Sequence, residues 1–480
     1  MPLRDSPCIE FPIGDRGQAG TDVARIAVIG CGHVGLVVAS SFAALGHQVV
    51  GIDTNTRRIG ELRRGECWLK EPGLEALLHS ELASGRLSFL DEYPERLDAE
   101  FAFIAVGTPS SAGGASDLRA LHEALNKVAP ALPPNAVIVN KSTVPVGTGD
   151  LVTALVRAAG APSLRVVSNP EFLQEGHAVR NFMEPDRIVL GSDDPEAVER
   201  TAALYDSLDA PIVRTDIRTA EMIKYASNTF LATKLSFVNE MATICDAVGA
   251  DISDVSLGMG FDPRIGSKFL NAGIGWGGSC FPKDATALEH TAAMFGAHPQ
   301  LLRDAIEINR DQRRTVLRKI RGYLGSVEGR RILVLGASFK PDTTDIRDSP
   351  ALEVANLLHL SGAEVLVYDP EVPAEAILAE HPRLKVADDL IEGARDSDAI
   401  VLATEWAVFN DLPLSQLAQV VRTRFIVDGR NVLDPMRVRG AGFSYRCIGR
   451  PGVEGPPISS APQREERALA REHASTAAGG

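Results

Sequence analysis

One stretch near the start of the chain restricts its fold more than any other. Residues 24–29 (ARIAVI) form a continuous apolar run that is typical of a buried parallel strand, and the sequence GCGHVG follows it directly at 30–35. Residues 36–45 are again apolar and have the length of a helix. A strand, a glycine-rich turn and a helix in this order predict a doubly wound α/β domain, with a dinucleotide bound at the helix N-terminus.

The glycines and a following acid predict which dinucleotide binds. Gly30 makes the turn, Gly32 lets the pyrophosphate approach the backbone, and Gly35 packs the helix against the strand. The next predicted strand ends in Asp53, whose carboxylate would accept hydrogen bonds from ribose hydroxyls and repel a 2′-phosphate. Arg58, five residues further on, is a side chain that could tolerate such a phosphate. The pattern favours NAD over NADP.

Three further strands are predicted in the first half of the chain, at 101–106, 136–140 and 164–168. Ligands of open α/β sheets gather at the carboxyl ends of the strands, so the residues after the first two of these strands are expected to line the cofactor cleft. Any one of them could equally be an ordinary turn residue. These residues are Gly107, Thr108, Pro109, Ser142 and Thr143.

A long helix is predicted in the middle of the chain. Residues 219–249 contain no proline, and no glycine before the last position, and their apolar residues recur at helical spacing. A helix of about 30 residues would span about 45 Å, which suits a bridge between two domains or two subunits. Lys224 and Asn228 lie one turn apart on this mostly apolar helix. A lone lysine on a helix is usually solvated, but two polar groups on an apolar side indicate a site, because burial without partners costs free energy.

The sequence GWGGSCFPKD at 275–284 combines a permissive backbone with reactive side chains. Cys280, Lys283 and Asp284 place a potential nucleophile, a cation and a carboxylate within five positions. A helix is predicted to begin after Pro282, so Cys280 would lie just ahead of a helix N-terminus, where a thiolate is stabilised. The alternative is a buried structural cysteine in a glycine-rich turn.

The second half of the chain repeats the α/β pattern without the glycine fingerprint. A charged helix, with RDQRR at 310–314, is predicted to be an exposed linker that ends near residue 329. A second set of strands follows, but GASFK at 336–340 replaces the glycine-rich turn, so this sheet is expected to bind something other than a dinucleotide. The nine predicted strands of the chain are 24–29, 48–52, 101–106, 136–140, 164–168, 331–336, 364–369, 399–403 and 424–428.

The composition argues against several classes of protein. Lys and Arg number 49 against 63 Asp and Glu, a net charge of -14, which argues against a nucleic-acid-binding surface. No apolar run approaches the roughly 20 residues that span a bilayer, and the first 23 residues are polar where a secretory signal would be apolar. The six cysteines contain no CxxC pair, which fits reduced thiols in the cytoplasm better than disulfides or a metal site.

Eight motifs occur in order along roughly residues 24–450: GCGHVG, VGTP, STVPVGT, NPEFLQEG, EMIKYASN, GGSCFPKD, SFKPDTTDIRDSP and VDGRNVLD. Together they resemble the UDP-glucose/GDP-mannose dehydrogenase family. The resemblance implies an α/β fold of two Rossmann-like doubly wound domains, joined by a long central helix and a helical middle domain, with NAD as the cofactor. It also implies that a nucleotide sugar is oxidised twice at C6, from alcohol to acid. The sequence DPRIGSKFL at 262–270 resembles the UDP-glucose branch, so UDP-glucose is the expected substrate.

The resemblance also implies a division of the chain and a partner. A homodimer through the central helix is expected, and Arg264 resembles a residue that reaches the substrate of the neighbouring subunit. His33, where many relatives carry Tyr, and Asn271, where some carry Lys, depart from the family pattern. The implied domains are an NAD-binding domain at 24–215, a helical dimerisation domain at 216–328 and a nucleotide-sugar-binding domain at 329–450. Outside the resemblance, composition predicts a flexible arm at 1–23, which mixes Pro, Gly and charge, and a disordered tail at 451–480, which lacks apolar periodicity.

Four residues carry the oxidation steps that the resemblance implies. Cys280 would hold the aldehyde between the two oxidations, first as a thiohemiacetal and then as a thioester. Asp284, acting through water, would take the proton of the C6 hydroxyl. Lys224 and Asn228 would stabilise the alkoxide that develops, because a cation and an amide donor suit an oxyanion.

The remaining implied site residues serve hydrolysis and binding. Glu171 would activate the water that cleaves the thioester, with Thr143 assisting, and Glu175 would touch the nicotinamide side of the cofactor. Further cofactor contacts are implied for His33, Val34, Lys283 and Arg347. Further substrate contacts are implied for Phe172, Leu173, Arg264, Lys268, Phe269, Gly273, Gly275, Gly277, Phe281, Lys340 and Arg430, with a solvated surface or an intradomain ion pair as the alternative for the last two.

Two other functions remain open at this point. The same chemistry could act on dTDP-glucose, GDP-mannose or an N-acetylated UDP-sugar, since contacts to the base come from loops whose geometry one sequence does not fix. The second alternative is a non-catalytic protein that binds NAD and has lost its activity. The presence of Cys280, Lys224 and Asp284 argues against it, because a binding module needs no thiol beside a base.

Overall fold

The computed structural model describes residues 23–111 and 113–455. The arm predicted at 1–23 and the tail predicted at 451–480 lie outside the described residues, apart from residue 23 and residues 451–455. Two sheets form, one in each half of the chain, with a group of helices between them in sequence. No helix in the described part of the chain is long and apolar enough to cross a membrane.

Eight strands build the first sheet: β1 (Arg25–Ile29), β2 (Gln48–Ile52), β3 (Leu87–Leu90), β4 (Phe101–Ile104), β5 (Val137–Asn140), β6 (Arg165–Ser168), β7 (Ile188–Gly191) and β8 (Ile212–Thr215). Their order across the sheet is β3-β2-β1-β4-β5-β6-β7-β8, and every neighbouring pair is parallel except β6 and β7. The order reverses between β1 and β4, so the carboxyl ends of these two strands border the crevice where ligands of this fold bind.

Helices pack their apolar sides on both faces of this sheet. An aromatic group of Phe42, Phe103, Phe182 and Tyr205 fills the core on one face, with ring centroids of Phe42 and Phe103 4.9 Å apart. A second cluster around Ile138 fills the other face. The helices are α1 (His33–Ala44), α2 (Thr56–Arg63), α3 (Leu74–Ala83), α4 (Arg119–Val128), α5 (Thr148–Ala158), α6 (Ala178–Met183) and α7 (Pro195–Ala203), with a 3₁₀ turn at Ala129–Ala131.

The predicted long helix is present as α8 (Ile217–Val248), 32 residues in length. It begins because the Asp216 carboxylate accepts a hydrogen bond from the backbone N–H of Thr219 at 2.9 Å. It ends at Gly249, whose φ of +79° is a left-handed conformation that suits glycine. The helices that follow are α9 (Ile252–Gly260), α10 (Phe281–Met294) and α11 (Gln300–Leu324).

The prediction that residues 310–314 belong to an exposed linker helix is wrong for two of them. Gln312 and Arg313 are buried in α11, where they bind the glycine loop. Gln312 Nε2 donates to the carbonyl of Gly273 at 2.7 Å, and Arg313 Nη2 donates to the carbonyl of Trp276 at 2.8 Å. Polar side chains that satisfy backbone carbonyls can be buried at low cost, and a charged sequence does not reveal such partners.

Six parallel strands build the second sheet: β9 (Arg331–Leu335), β10 (Glu364–Tyr368), β11 (Lys385–Val386), β12 (Ala399–Leu402), β13 (Phe425–Asp428) and β14 (Ser444–Cys447). Their order is β11-β10-β9-β12-β13-β14, the same layout as the first six strands of the other sheet. The accompanying helices are α12 (Pro350–Leu360), α13 (Ala374–Glu380), α14 (Leu390–Ala394), α15 (Leu414–Val420) and α16 (Pro435–Gly440), with a 3₁₀ turn at Ala407–Asp411.

All nine predicted strands occur in the structure, as β1, β2, β4, β5, β6, β9, β10, β12 and β13. The sequence interpretation missed five strands, β3, β7, β8, β11 and β14. One of them, β7 (IVLG), is a fully buried apolar run that was not assigned. β8 at the sheet edge is IVRT with two exposed residues, and β11 has two residues, so neither shows an apolar run. The fold class is therefore confirmed, since both sheets, the long helix and the helices after it are present.

Candidate active site

One face of α8 brings together charged groups from two other segments. Lys224 Nζ donates to Glu171 Oε1 at 2.7 Å, and both side chains are buried. One turn later, Asn228 Nδ2 donates to Asp284 Oδ2 at 2.7 Å. Lys283 Nζ binds the other oxygen of Asp284 at 2.6 Å. Residues that are 50 to 60 positions apart in sequence thus form one cluster, as their motifs predict.

Cys280 caps the N-terminus of α10, as predicted, and lies against this cluster. Its Sγ is 3.7 Å from the hydroxyl of Ser279. Burial raises the pKa of the Cys280 thiol, and the Glu171 carboxylate raises it further, while Lys224 acts in the opposite direction. The expectation that the position before a helix yields a thiolate is therefore wrong for the resting protein, because burial and a nearby carboxylate outweigh the neighbouring cation.

The Lys224–Glu171 pair is ionised in spite of its burial. Burial opposes the charge on Glu171, but Lys224, a backbone N–H from Leu173 and the more distant Lys141 together hold its pKa below the usual value. Burial likewise opposes the charge on Lys224, but Glu171, Cys280 and Asp284 raise its pKa. The cluster therefore holds a fixed ammonium beside an ionised carboxylate.

The sequence interpretation missed Lys141 as a site residue. Its side chain is buried, and Nζ donates to Asn169 Oδ1 at 2.9 Å. The Tyr205 hydroxyl donates to the same oxygen at 2.6 Å, and Asn169 Nδ2 donates to the Val189 carbonyl at 2.9 Å. Burial lowers the pKa of Lys141 to about 8. One signal in the sequence could have found it. Lys141 is the first residue after β5, at the carboxyl end of the strand, where ligands of this fold gather.

The cofactor turn has the shape that a pyrophosphate needs. Gly30 has a φ of +92°, and a Cβ there would lie 2.9 Å from the carbonyl oxygen of Ala105. A Cβ on Gly35 would overlap the carbonyl oxygen of Gly30, so both positions require glycine. A Cβ on Gly32 would meet nothing within 4 Å, which leaves open space at the N-terminus of α1. The turn therefore fits a bound dinucleotide.

Asp53 is held beside this turn at the end of β2. Its Oδ2 accepts from the backbone N–H of Cys31 at 2.8 Å and from Arg58 Nη1 at 3.2 Å. The Arg58 guanidinium also lies 4.8 Å above the ring of Trp68. Arg58 is thus neutralised by Asp53, which fits recognition of a ribose hydroxyl better than of a 2′-phosphate.

His33, the first residue of α1, links the cofactor turn to the segment after β6. Its Nε2–H donates to Glu71 Oε2 at 3.1 Å, and Val34 beside it is partly buried. The buried Glu71 also accepts from the backbone N–H groups of Gly176 at 2.9 Å and Ala178 at 2.6 Å. His33, which departs from the family pattern, is therefore hydrogen-bonded to Glu71, and the same carboxylate binds the end of the NPEFLQEG segment.

The tips of β4 and β5 are fixed by hydrogen bonds to backbone. The Thr108 hydroxyl donates to the Thr143 carbonyl at 2.7 Å, and the Ser142 hydroxyl donates to the Val106 carbonyl at 2.7 Å. These two hydroxyls hold the strand ends together and keep Thr143 at the carboxyl edge of the sheet. Gly107 and Pro109 are exposed at the same edge.

Glu175 joins the cofactor half of the chain to the second sheet. Its carboxylate accepts from the Ser279 hydroxyl at 3.1 Å and the Thr343 hydroxyl at 3.3 Å, and it pairs with Arg347 at 3.5 Å. Lys340 donates to its backbone carbonyl. Arg347 binds Asp345 more closely, at 2.6 Å. In this structure Lys340 and Arg347 are therefore contacts between the two halves.

The glycine loop between α9 and α10 is clamped from both sides. The N–H of Gly273 donates to Asn239 Oδ1 at 2.8 Å, and Arg430 Nη1 donates to the Gly275 carbonyl at 3.4 Å. A Cβ on Gly277 would overlap the carbonyl oxygen of Asp348, so the loop lies directly against the connection between β9 and α12. Arg430 also pairs with Glu405 at 3.1 Å, so the predicted alternative of an intradomain ion pair is present.

Aromatic side chains lie beside the cluster, and two predicted cations do not. The Phe172 ring, next to Leu173, carries the Arg187 guanidinium at 3.6 Å and has Lys224 Nζ at 5.5 Å. Phe269 and Phe281 have ring centroids 6.4 Å apart. Lys268 and Arg264 are exposed, and among the described residues no hydrogen bond or ion pair joins either of them to the buried cluster; Arg264 pairs with Asp262 at 2.6 Å.

The turn after β9 lacks the geometry of the first turn. Asp369 at the end of β10 accepts from the N–H of Ala337 at 2.6 Å, as Asp53 does from Cys31. The helix that should follow, α12, begins only at Pro350, so no helix N-terminus faces this turn. The second sheet therefore cannot hold a pyrophosphate in the manner of the first.

Comparison with known proteins agrees with the difference between the two sheets. Three models of the UDP-glucose/GDP-mannose dehydrogenase family match the chain: the NAD binding domain over residues 24–209, the central domain over 218–311 and the UDP binding domain over 333–435. The prediction that the second sheet binds something other than a dinucleotide agrees with the third match.

Relatives of known name extend over nearly the whole chain. The UDP-glucose 6-dehydrogenase TuaD of Bacillus subtilis is 44% identical over 436 residues, 90% of this chain and 94% of the relative. The UDP-glucose 6-dehydrogenase of Rhizobium meliloti is 45% identical over 437 residues, 89% of this chain and 100% of the relative.

Solved structures agree in fold as well. A UDP-glucose dehydrogenase from Pyrobaculum islandicum superposes with a TM-score of 0.84 at 37% identity, covering 91% of this chain and all of that one. A UDP-D-ManNAc dehydrogenase from Pyrococcus horikoshii gives 0.80 at 29% identity, covering 89% and 99%. With its NAD-binding turn, its second sheet and its Cys280 cluster, the chain belongs to the UDP-glucose/GDP-mannose dehydrogenase family and is an NAD-dependent oxidoreductase.

Proposed function

We propose that the chain oxidises the C6 hydroxyl of UDP-glucose to a carboxylate in two steps. The single observation that carries this proposal is the buried cluster in which Lys224 and Asn228 face Glu171 and Asp284 beside Cys280. Relatives that share 44% and 45% of their residues with the chain are UDP-glucose 6-dehydrogenases. The turn at Gly30 and Gly32, with Asp53, would hold NAD, which when bound would supply a hydride acceptor for both oxidations.

The first step needs removal of a proton and support for an oxyanion. Asp284, acting through a water molecule, takes the proton of the C6 hydroxyl as the C–H bond breaks. Lys224 and Asn228 donate hydrogen bonds to the C6 oxygen while its negative charge develops, and such preorganised donors are worth about 10²–10³-fold in rate each. The product is an aldehyde that stays bound over the cluster.

The second step uses the sulfur of Cys280. The thiol adds to the aldehyde carbon and loses its proton to a neighbouring base, giving a thiohemiacetal whose oxygen is held by Lys224. Loss of the C6 hydride converts this adduct into a thioester. Glu171, with Thr143 nearby, takes a proton from the water that cleaves the thioester and releases the uronate. One water is consumed and two hydrides leave the sugar, so the electrons balance.

The stoichiometry of the reaction tests this proposal directly. Purified protein with limiting UDP-glucose and excess NAD should form two NADH for each sugar, measured by absorbance, and UDP-glucuronate, measured by mass spectrometry. One NADH for each sugar, or none, would overturn the double oxidation. The same assay with dTDP-glucose, GDP-mannose and N-acetylated UDP-sugars ranks the alternative substrates by kcat/KM, and a higher value for any of these would replace UDP-glucose.

We also infer a homodimer through the outer face of α8. Phe230, Phe237, Ile244 and Val248 are 65%, 44%, 48% and 72% exposed and recur at intervals of seven or four residues, so they form one apolar stripe. Large exposed apolar patches mark protein interfaces. The exposed Arg264 would then extend towards the partner's substrate, as the family resemblance implies.

Light scattering tests the dimer. The unmodified protein should have twice the mass of one chain, and Phe230→Asp with Phe237→Asp should give the mass of one chain. A monomeric unmodified protein would overturn the inference.

We also propose a cytoplasmic location, which the cysteines support. All five cysteines in the described residues are free, and Cys31, Cys245 and Cys447 are buried. Free thiols persist in a reducing compartment. Microscopy of a tagged chain in the source cell would check this location.

A further inference from the structure

A third polar side chain lies on the same side of α8 as Lys224 and Asn228. Glu221 precedes them by three and seven positions, which is one and two turns of the helix. Its side chain is buried with 3% exposure. The steps proposed above give it no part, and a buried carboxylate costs free energy unless it has partners.

The partners of Glu221 are backbone groups at the start of α5. Its Oε2 accepts from the N–H of Gly147 at 2.6 Å, and its Oε1 accepts from the N–H of Gly149 at 2.8 Å. The first N–H groups of a helix have no partner within the helix, and a carboxylate there also meets the positive end of the helix dipole. Both oxygens are therefore used as acceptors.

The contact is made possible by two glycines. Gly147 has a φ of +96°, a conformation that side chains other than glycine rarely adopt. A Cβ on Gly149 would overlap the Ile217 side chain in the first turn of α8. The backbone at the start of α5 therefore lies directly against side chains of α8, and residues 141–149, which follow β5 and include the start of α5, are fixed against that helix.

We propose that Glu221 is a positioning residue for the reaction, because its ionised carboxylate holds segment 141–149 in register with Lys224 and Asn228. This segment carries Thr143, which lies at the carboxyl edge of the first sheet. The inference rests on the proposed function for its link to turnover, but the contact itself does not depend on that function. Three side chains of α8 each bind a different part of the site. Lys224 binds Glu171 of the NPEFLQEG segment, and Asn228 binds Asp284 of α10. Glu221 binds the segment after β5.

The proposed role depends on the charge of Glu221. A protonated carboxyl presents one O–H donor, and this donor would face a backbone N–H, so only one of the two hydrogen bonds could form. Burial raises the pKa of Glu221 to about 7, although the N–H groups of Gly147 and Gly149 act in the opposite direction. The charged groups that face it are Asp150 on α5 and Arg218 on α8, which pair with each other at 2.6 Å.

The Tyr225 hydroxyl, one turn further along α8, is the other titratable group that faces Glu221. Burial raises the pKa of this phenol out of the range of the experiment. Below a pH of about 7 the carboxyl of Glu221 is protonated and one of the two hydrogen bonds is lost, so the register of the closed segment changes. Because the closed contact raises this pKa, it binds the proton more tightly than the opened segment does, and opening should become easier as the pH rises towards about 7.

Turnover of Glu221→Gln tests the proposal. Glutamine keeps the shape but turns one acceptor into an amide donor that faces a backbone N–H. We expect kcat with UDP-glucose to fall about 10- to 100-fold, as for a displaced catalytic group, while the dissociation constant for NAD, measured by fluorescence titration, changes less than about twofold. Glu196→Gln on α7 is the matched control, since Glu196 is exposed and its side chain makes no hydrogen bond or ion pair within the described residues.

The pH profile separates positioning from a purely structural role. The kcat of the unmodified protein should fall as the pH decreases through about 7, and this acid limb should be absent from Glu221→Gln. An unchanged kcat, or a reduced kcat with the acid limb intact, would overturn the proposal.

Hydrogen exchange measures the contact without any substrate. After correction for the intrinsic rates, the amides of Gly147 and Gly149 should lose protection as the pH rises towards about 7 in the unmodified protein, and in Glu221→Gln their protection should be low at every pH. If UDP-glucose is not oxidised but this exchange pattern appears, the proposed function fails while the contact stands. Exchange that is independent of pH in the unmodified protein would overturn the role of Glu221 whatever the substrate.

Discussion

Cys280 enters the proposed reaction as a thiol, because burial and the Glu171 carboxylate raise its pKa more than Lys224 lowers it. A resting thiol reacts slowly with oxidants and disulfides, since the thiolate is the reactive form. Its proton must leave during addition to the aldehyde, when a new oxyanion appears beside Lys224. In the proposed reaction the thiol would therefore lose its proton when the aldehyde is bound, and not before.

Replacement of this sulfur should separate the two oxidations. In Cys280→Ser the hydroxyl is a weaker nucleophile, and an ester replaces the thioester, so we expect no more than one NADH for each sugar, or a trapped adduct on Ser seen by mass spectrometry. Cys67→Ser is the control, because the Cys67 thiol donates only to the carbonyl of Leu69. Two NADH for each sugar in Cys280→Ser would remove the covalent mechanism.

Lys141 supplies a second prediction at this scale. Its pKa of about 8 means that its positive charge is present at pH 7 and is lost as the pH rises through about 8. Loss of this charge weakens the hydrogen bond to Asn169 and removes one of the groups that keep Glu171 ionised. The unmodified protein should therefore lose kcat above a pH of about 8.

Lys141→Met should have a kcat lower by about 10-fold or more at pH 7 and no alkaline limb near pH 8. Tyr205→Phe is the control, since it removes the other donor to Asn169 but leaves the lysine in place. Steady-state rates from pH 6 to 10 check both variants. If Lys141→Met still loses kcat near pH 8, this loss is caused by the titration of another group, and the role predicted for Lys141 is wrong.

At the scale of the elements, two helices carry most of the site between them. α8 presents Lys224 and Asn228 on one side and the apolar stripe on the other. α11 holds the glycine loop through its buried polar residues, of which Asn309 also accepts from the N–H of Trp276 at 2.8 Å. The loop has no regular structure of its own, so its shape ahead of Cys280 is imposed by side chains of α11.

Removal of one of these side chains should loosen the loop. Arg313→Met deletes the donor to the Trp276 carbonyl and the ion pair with Glu353, and hydrogen bonds to charged groups are worth about 1.5–3 kcal/mol each. We expect a loss of about 2 kcal/mol in the free energy of unfolding by urea and a higher KM for UDP-glucose. Arg310→Met on the exposed side of the same helix should change neither value, and equal losses in both variants would contradict the role of α11.

At the scale of the whole molecule, the two sheets are joined at the site itself. Glu175 receives contacts from Thr343, Arg347 and Lys340 of the second half, and the buried Glu71 holds the same segment to the cofactor turn. A ligand that fixes one half therefore orders groups that bind the other ligand. This geometry predicts that the two ligands bind cooperatively.

The cooperativity should depend on Glu175. UDP at saturation should tighten NAD binding by about fivefold or more in the unmodified protein, measured by titration calorimetry, and by less than about twofold in Glu175→Gln. Glu371→Gln is the control, because its ion pair with Lys70 also joins the two halves but is exposed, and such pairs contribute about 1 kcal/mol at most. Equal coupling in the unmodified protein and in Glu175→Gln would contradict this role.

The sheets could be predicted from the sequence because their central strands are buried on both faces. Strands such as Val137–Asn140 are apolar runs that end in turn residues, and a run of this kind has few other interpretations. Ile212–Thr215 escaped detection because it is a partly exposed edge strand, and Gln312 and Arg313 were misjudged because their partners are carbonyls far away in sequence. The local sequence pattern thus predicts the burial of apolar residues. It does not predict the burial of polar residues, which depends on hydrogen-bond partners far away in the sequence.

The candidate site shows the same limit. The motifs predicted that Cys280, Lys224 and Asp284 would meet, and the structure brings them together. Lys141 and Glu221 were not assigned a role, because a lysine after a strand and a glutamate on a helix are usually solvated. Their burial depends on Asn169 and on the glycine backbone of α5, which only the tertiary structure reveals.

The two halves of the chain differ mainly in the turn after their first strand, which is β1 in one half and β9 in the other. Both sheets have the same strand order, and in each an acid at the end of the second strand binds the first turn. Three residues, 30–32, join β1 to α1, whereas fourteen, 336–349, join β9 to α12. The extra residues take the place of a phosphate cradle and supply Lys340 and Arg347 to the other half. A chain redesigned with a short connection there would therefore lose the contacts of Lys340 and Arg347 with Glu175, and with them a direct attachment of one half of the molecule to the other.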